Sequence, residues 1–148
     1  MAVSSNVPRS LDELVRRYMK AWGEHDLDAI MSLHTPDYTE FIVHGGNGVQ
    51  KWEGFDAVRE CFDYLLRAWP DQSFKTTNLA ISDKLYVAHH DLTGTLVTSW
   101  PMGGRTYQPT GRPITFEIVD IMHCESNLIR RKEGWIDGLA IASGLAAQ

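Results

Sequence analysis

Several features that commonly announce a function are missing from this chain. It has two cysteines, Cys61 and Cys124, in 148 residues, and they form no CxxC pair. This argues against a disulfide framework or a thioredoxin-type motif, and a reduced, cytoplasmic protein is the expectation. No apolar stretch is long enough to span a bilayer, so no membrane association is expected. Met1 to Pro8 carries no charged segment followed by an apolar run, so no signal peptide is expected. The formal net charge is −5 and no basic patch stands out, which argues against a nucleic-acid partner. The histidines, His25, His34, His44, His89, His90 and His123, are scattered. Without HExxH or an i, i+4 pair they predict no zinc site. Gly45-Gly46-Asn47-Gly48 lacks the lysine of a P-loop and reads as a loop, a candidate lid. There is no GxSxG.

What the chain does have is a length suited to one domain and a hydrophobic fraction of 43%, enough for one core. Residues 1–9 read as a loose arm and 10–148 as the domain. Ser10 with Glu13 three residues on has capping-box spacing. Leu11, Leu14, Val15, Tyr18 and Trp22 then recur at helical spacing, and Gly23 ends the helix. Asp26 opens a short second helix carrying Leu27, Ile30, Met31 and His34 on one side, and Pro36 stops it. Tyr38 to Val43 reads as a short strand. A third helix spans Phe55 to Ala68, and Pro70 terminates it.

After Pro70 the period changes to two. Phe74 to Ile81, Leu85 to Val97, Thr106 to Cys124 (interrupted near Pro109) and Leu128 to Asp137 read as strands. Helices followed by an antiparallel sheet make an α+β domain. A sheet curled around helices encloses a cavity. Leu139 to Leu145 reads as a closing turn or a partner contact.

Alternation places Ile114, Phe116, Ile118 and Asp120 on one strand face, and its apolar members mark that face as buried. Asp120 is therefore expected to point inward with a raised pKa, since desolvation disfavours its charge. His89 and His90 point to opposite faces, Tyr86 sharing the His90 face. Glu40 shares a face with Ile42 and His44.

The order of these segments resembles the nuclear transport factor 2-like superfamily. Within it, the chain is similar to SnoaL-like polyketide cyclases, ketosteroid isomerases and limonene epoxide hydrolases. The segments that carry the likeness are Tyr18-Met19-Lys20-Ala21-Trp22 with Asp26-Leu27-Asp28-Ala29-Ile30, Trp69-Pro70-Asp71, Pro109-Thr110-Gly111-Arg112, and Ile118-Val119-Asp120-Ile121-Met122. The resemblance implies a cone: a curved, mostly antiparallel sheet wrapped around three N-terminal helices. It implies that Tyr18 and Asp120 form an oxyanion-type pair with Asp120 protonated, an arrangement described for ketosteroid isomerase. The alternative is a buried Asp120 that only pairs with Tyr18 or a backbone N–H. The resemblance also favours His90 over His89 as the inward histidine. The isomerase base falls at Ile42 and the hydrolase acid at Gly134, and neither residue transfers protons. Glu40 or His90 is expected to replace them. The expected walls are His34, Ile42, Phe116, Ile118, Tyr86 and Trp22. Asp137 reads as a strand-end cap.

These residues predict an acid–base isomerase or cyclase that needs no cofactor. Its substrate would be a hydrophobic carbonyl- or epoxide-containing metabolite, of polyketide or terpenoid type. The alternatives are a non-catalytic small-molecule binding or assembly module, and an epoxide-opening hydrolase. Trp100, Met102 and Tyr107 are apolar for a hairpin and suggest a homodimer contact.

Overall fold

A computed structural model describes residues 6–146. Residues 1–5 of the expected arm and the last two residues of the expected domain lie outside the described residues. Helix α1 (Leu11–Gly23) opens as its capping spacing predicts, with the Ser10 hydroxyl accepting from the Glu13 N–H at 3.2 Å. The Glu13 carboxylate reaches back to the Arg9 N–H at 3.0 Å. Its buried stripe is Leu11, Leu14, Val15, Tyr18 and Ala21. Asp26 caps the short α2 (Leu27–Met31). After β1 (Glu40–His44) and β2 (Gln50–Glu53), α3 (Phe55–Ala68) buries Val58, Cys61, Phe62 and Ala68.

The remaining chain supplies β3 (Ser73–Ile81), β4 (Leu85–Thr95), β5 (Trp100–Met102), β6 (Arg105–Tyr107), β7 (Pro113–Glu125) and β8 (Leu128–Ile136). The main sheet is six-stranded in the order β2-β1-β8-β7-β4-β3. All its pairings are antiparallel except β1 with β8. Together with the helices it forms the expected α+β cone. The expected Thr106–Cys124 strand is split. Its first residues pair with β5 as a separate ribbon, and β7 restarts at Pro113 after Gly111 adopts a φ of +75°. Strand β2 went unrecognised because Gln50-Lys51-Trp52-Glu53 is a mainly exposed edge with only one apolar residue. The C-terminal segment forms a fourth helix, α4 (Gly138–Ala146), and not a turn. Asp137, expected to cap a strand, instead caps α4 by accepting the Ala140 N–H at 3.0 Å.

Two apolar clusters hold the fold. The first joins α1, α2 and α3 to the inner face of the sheet through Tyr18, Phe41, Phe62, Tyr86 and Met122. The second gathers Trp69, Leu96, Met102, Ile114, Ile141 and Leu145, with Trp100 and Phe116 against them. Helix α4 packs tightly on β7: a Cβ on Gly144 would come within 2.7 Å of Ile114 Cγ2. A cavity of about 220 Å³ runs between the two clusters.

One irregularity sets the site. β7 and β8 shift register between His123 and Cys124: His123 faces Arg131, Cys124 faces Ile129, and Arg130 is the extra residue. The inward phase of β8 therefore changes at Arg130, from Ile129 before it to Lys132 and Gly134 after it.

Candidate functional site

Alternation on β7 and β4 brings Asp120, Ile118 and Phe116, and Tyr86, His90 and Leu92, to the cavity wall. Helix α1 adds Tyr18 and Trp22, and β8 adds Lys132. Asp120 and Lys132 are both buried, at 5% and 7% exposure. The Lys132 ammonium lies 3.6 Å from Asp120 Oδ2, and His90 Nε2 also lies 3.6 Å from that oxygen. These are ion-pair distances, longer than direct hydrogen bonds. Asp120 Oδ1 is buried without a hydrogen-bond partner.

Lys132 stands in an aromatic cage, with Nζ 4.7 Å from the Trp22 ring centroid and 5.3 Å from that of Tyr18. Burial alone lowers its pKa, but the Asp120 carboxylate and the Tyr18 hydroxyl outweigh burial and hold it above the ordinary lysine value. Lys132 is therefore a fixed cation and a poor nucleophile. A buried ammonium needs a counter-charge, and Asp120 is the carboxylate placed to supply it. The expectation of a protonated, donating Asp120 considered only its apolar neighbours Phe116 and Ile118. Lys132 reverses the premise, and the geometry is that of a carboxylate with one oxygen held and one oxygen free.

His90 is kept neutral chiefly by burial, which lowers its pKa. Its Nδ1 lies 3.0 Å from Thr76 Oγ1 and its ring packs edge-on against Phe74. The Tyr18 hydroxyl lies 3.0 Å from His34 Nε2, and His34 Nδ1 lies 2.8 Å from Thr39 Oγ1. Burial pushes the His34 pKa down to about 3, so this imidazole is neutral. Burial also raises the Tyr18 pKa, which keeps the phenol protonated. Cys61 also lines the cavity, but burial pushes its thiol up to about 12, too high for a nucleophile.

Comparison with known proteins places the chain in a family. A family model, the SnoaL-like domain, matches residues 15–132. The chain belongs to the SnoaL-like family. No curated protein matches it. Among solved structures it is similar to a proposed SnoaL-like polyketide cyclase from Jannaschia sp. CCS1. That match has 21% identity, a TM-score of 0.79, and covers 97% of this chain and 96% of that one. IdmH, a proposed polyketide cyclase from Streptomyces antibioticus, matches at 16% identity with a TM-score of 0.70, covering 93% and 99%. AclR, a proposed hydroxylase from Streptomyces galilaeus, matches at 17% identity with a TM-score of 0.71, covering 93% and 85%. At these identities the solved structures establish the fold alone.

Within this SnoaL-like cone, Tyr18, Trp22, Tyr86, His90, Phe116, Ile118 and Asp120 line the cavity. Three expected members do not. Glu40 and Ile42 sit on the opposite face of β1, whose inward residues are Phe41 and Val43. Glu40 pairs there with Lys51 at 3.3 Å and Arg131 at 3.4 Å, and accepts from Tyr38 at 2.8 Å. His34 is buried behind Tyr18, so it orients that phenol and does not form a wall. Trp100 and Met102 also turn inward, against the second cluster and the cavity. Gly45 packs against Ile136 and Gly138, and Gly46 against Met102, so the glycine-rich loop is seated at the cavity rim.

Lys132 is the cavity-lining charged residue that sequence reasoning missed. Arg130-Arg131-Lys132 reads as a solvated basic run, and the bulge at Arg130 hides the change of phase. The available signal was Gly134: if that position faces inward, Lys132 two residues earlier does too. Among the described residues one trio, His89, Asp91 and Glu117, brings metal-type ligand atoms within 4.8 Å of one another. It lies on the other face of β4 and β7, away from the cavity. No helix among the described residues is long and apolar enough to cross a membrane.

Proposed function

We propose that this protein is an acid–base isomerase or cyclase for a hydrophobic, carbonyl-containing metabolite. One observation carries the reading: a cavity-lining Asp120 whose Oδ2 lies 3.6 Å from both Lys132 and His90, while its Oδ1 is buried without a partner. In this reading the Asp120 carboxylate takes a proton from carbon. The acidic C–H would be the one next to a substrate carbonyl, because the resulting negative charge then moves to oxygen. The Lys132 ammonium, the Tyr18 hydroxyl and the His90 imidazole line the same cavity and would stabilise that enolate oxygen.

The proton taken by Asp120 then has two fates. Returned to a different carbon of the enolate, it completes an isomerisation. In a cyclisation, the enolate carbon attacks a second carbonyl, a C–C bond forms, and the new alkoxide takes the proton. An epoxide hydrolase would need a second carboxylate around a water. Asp120 is the one carboxylate among the cavity-lining residues, so this reading is the weaker one. The likeness to proposed polyketide cyclases supports a substrate of polyketide type.

Deuterium exchange tests the proposal. A panel of polycyclic ketones is incubated with the protein in heavy water, and label at the α-carbon is read by mass spectrometry. Wild type should accelerate exchange of at least one ketone, and Asp120→Asn should reduce that rate about 10²–10⁴-fold while the fold persists. An unchanged rate in Asp120→Asn would remove Asp120 as the base. Ligand binding without exchange in wild type would favour a non-catalytic binding module.

A further inference from the structure

The outer face of the sheet carries a second cluster of polar side chains. His89 and Asp91 are two residues apart on β4, so alternation puts both on the face turned away from the cavity, with His90 between them turned into it. Register places Glu117 of β7 directly opposite Asp91. The ligand-type atoms of these three residues lie within 4.8 Å of one another. Spacing along the sequence does not reveal the group, because the pairing of β4 with β7 brings Glu117 in.

The trio holds an uncompensated repulsion. Asp91 and Glu117 are like charges directly opposed across two strands, which is destabilising by itself. Asp91 is half-buried, and among the described residues its carboxylate makes no hydrogen bond or ion pair. Lys75 of β3 is in register with Asp91 on the same face, yet the two form no ion pair. A cation held between the two carboxylates would remove the repulsion.

His89 distinguishes the group from ordinary acidic surface. Its Nε2 lies 3.3 Å from Glu117 Oε1. Two ligands at about 2.1 Å from a tetrahedral zinc ion stand about 3.4 Å apart, so this pair already has the spacing of a tetrahedral edge. On the other side of the ring, Nδ1 lies 3.1 Å from the side-chain amide nitrogen of Asn78, which faces His89 from β3. Turning that amide over presents its oxygen to an Nδ1–H and leaves the Nε2 lone pair for a metal. Ligating histidines are commonly held in this way through their second nitrogen. A different group on the same face, His44, Glu133 and His123, lacks this freedom. Both Glu133 oxygens are already engaged there, by His44 at 3.1 Å and His123 at 2.9 Å.

We propose that His89, Asp91 and Glu117 form a site for one divalent transition-metal ion of zinc type. Asn78 holds the imidazole, and water completes the coordination. The ion bridges β4 to β7 directly behind His90 and Ile118, bracing two strands of the cavity wall from outside. The site does not depend on the reaction assigned to Asp120.

The untagged full-length chain is titrated with Zn2+ by calorimetry and with Co2+ by visible absorption. Wild type should bind one equivalent of Zn2+, and bind Mg2+ at least about tenfold more weakly, because imidazole favours the softer ion. His89→Ala, Asp91→Asn and Glu117→Gln should each weaken Zn2+ binding at least about tenfold, and Asn78→Leu about tenfold. His123→Ala should bind as wild type does. Saturating Zn2+ should raise the wild-type melting temperature, as any ligand of the folded state does, and His89→Ala should lose that rise. Absence of binding at millimolar Zn2+, affinity unchanged in all three ligand variants, or affinity lost in His123→Ala would overturn the site.

Discussion

Replacing Lys132 by methionine probes the charge arrangement at the cavity floor. Methionine keeps the length and apolar stem of the side chain and removes the ammonium. Asp120, at 5% exposure, would then hold a carboxylate with no counter-charge beside it. Removing one partner of a buried ion pair costs about 3–5 kcal/mol. A domain has only about 5–15 kcal/mol of stability in total, so the loss is large but leaves the variant folded. Removing both charges is different. Replacing a buried pair with apolar groups of similar volume is neutral or stabilising by about 1–4 kcal/mol. Lys132→Met combined with Asp120→Leu should therefore be more stable than Lys132→Met alone, although it carries one more substitution.

The assay is urea denaturation of the four proteins of this cycle, repeated across pH. In Lys132→Met the stranded carboxylate takes up a proton in the folded state before the unfolded chain does. Its stability should rise as pH falls from neutral, by up to about 1.4 kcal/mol per unit. Asp120→Leu strands the ammonium instead, so that variant should gain stability as pH rises. In the wild type Lys132 is held above its ordinary value of 10.5. Its contribution is complete below that pH and is lost as pH climbs through the folded-state value. If Lys132→Met matches the double variant in stability and is flat with pH, the two charges do not interact and the argument for a carboxylate at Asp120 fails.

Three further outcomes follow from the geometry. His34 titrates at about 3 when folded against an ordinary 6.5, so the unfolded chain protonates first as pH drops. Wild-type stability should fall between pH 6.5 and 3 by up to about 1.4 kcal/mol per unit from this group, and His34→Gln should flatten that slope in acid denaturation. Glu40→Gln should leave exchange activity within about twofold of wild type, because Glu40 faces away from the cavity. Losing its contacts to Lys51 and Arg131 should cost about 1 kcal/mol in a thermal melt. A Cβ at Gly134 would sit 3.4 Å from Asp120 Oδ1, ordinary contact that fills the approach to the free oxygen. Gly134→Ala should therefore keep its melting temperature within a few degrees and lose at least about tenfold in deuterium exchange, a 1.4 kcal/mol effect on the barrier.

The fold was largely legible because its signals are local and regular. The Ser10 cap, the α1 stripe and the strand alternation of β4 and β7 each follow one period without interruption. The same regularity placed Asp120, Ile118, Phe116 and Tyr86 on the cavity wall. The misreadings fall where a second influence intervenes. β1 is sandwiched between β2 and β8, so Ile42 is buried although it lies on the outer face. Burial pattern alone could not tell its two sides apart, and Glu40 followed Ile42 to the wrong one. The β8 bulge breaks the alternation one residue before a basic pair, and Lys132 was lost in it. Trp100 and Met102 pack at the cavity end, a burial that a hairpin sequence does not announce.

Lys132 and Gly134 read best as one solution to a charge problem. Gly134 is paired directly with Asp120 across β7 and β8. An acid there would put two carboxylates side by side, and like charges at that distance force one to hold a proton. Glycine at this position leaves Asp120 as the cavity's one carboxylate. The bulge then turns Lys132, two residues earlier on the same face, toward it. The cavity floor becomes a neutral pair. In the proposed reaction, a substrate proton moving to Asp120 would take negative charge off the carboxylate and develop it on the substrate oxygen. The Lys132 ammonium would then stay partnered throughout that transfer. A fixed cation that need not reorganise is most effective in a site walled by apolar side chains such as Trp22, Phe41, Phe116 and Ile118, which lower the local dielectric.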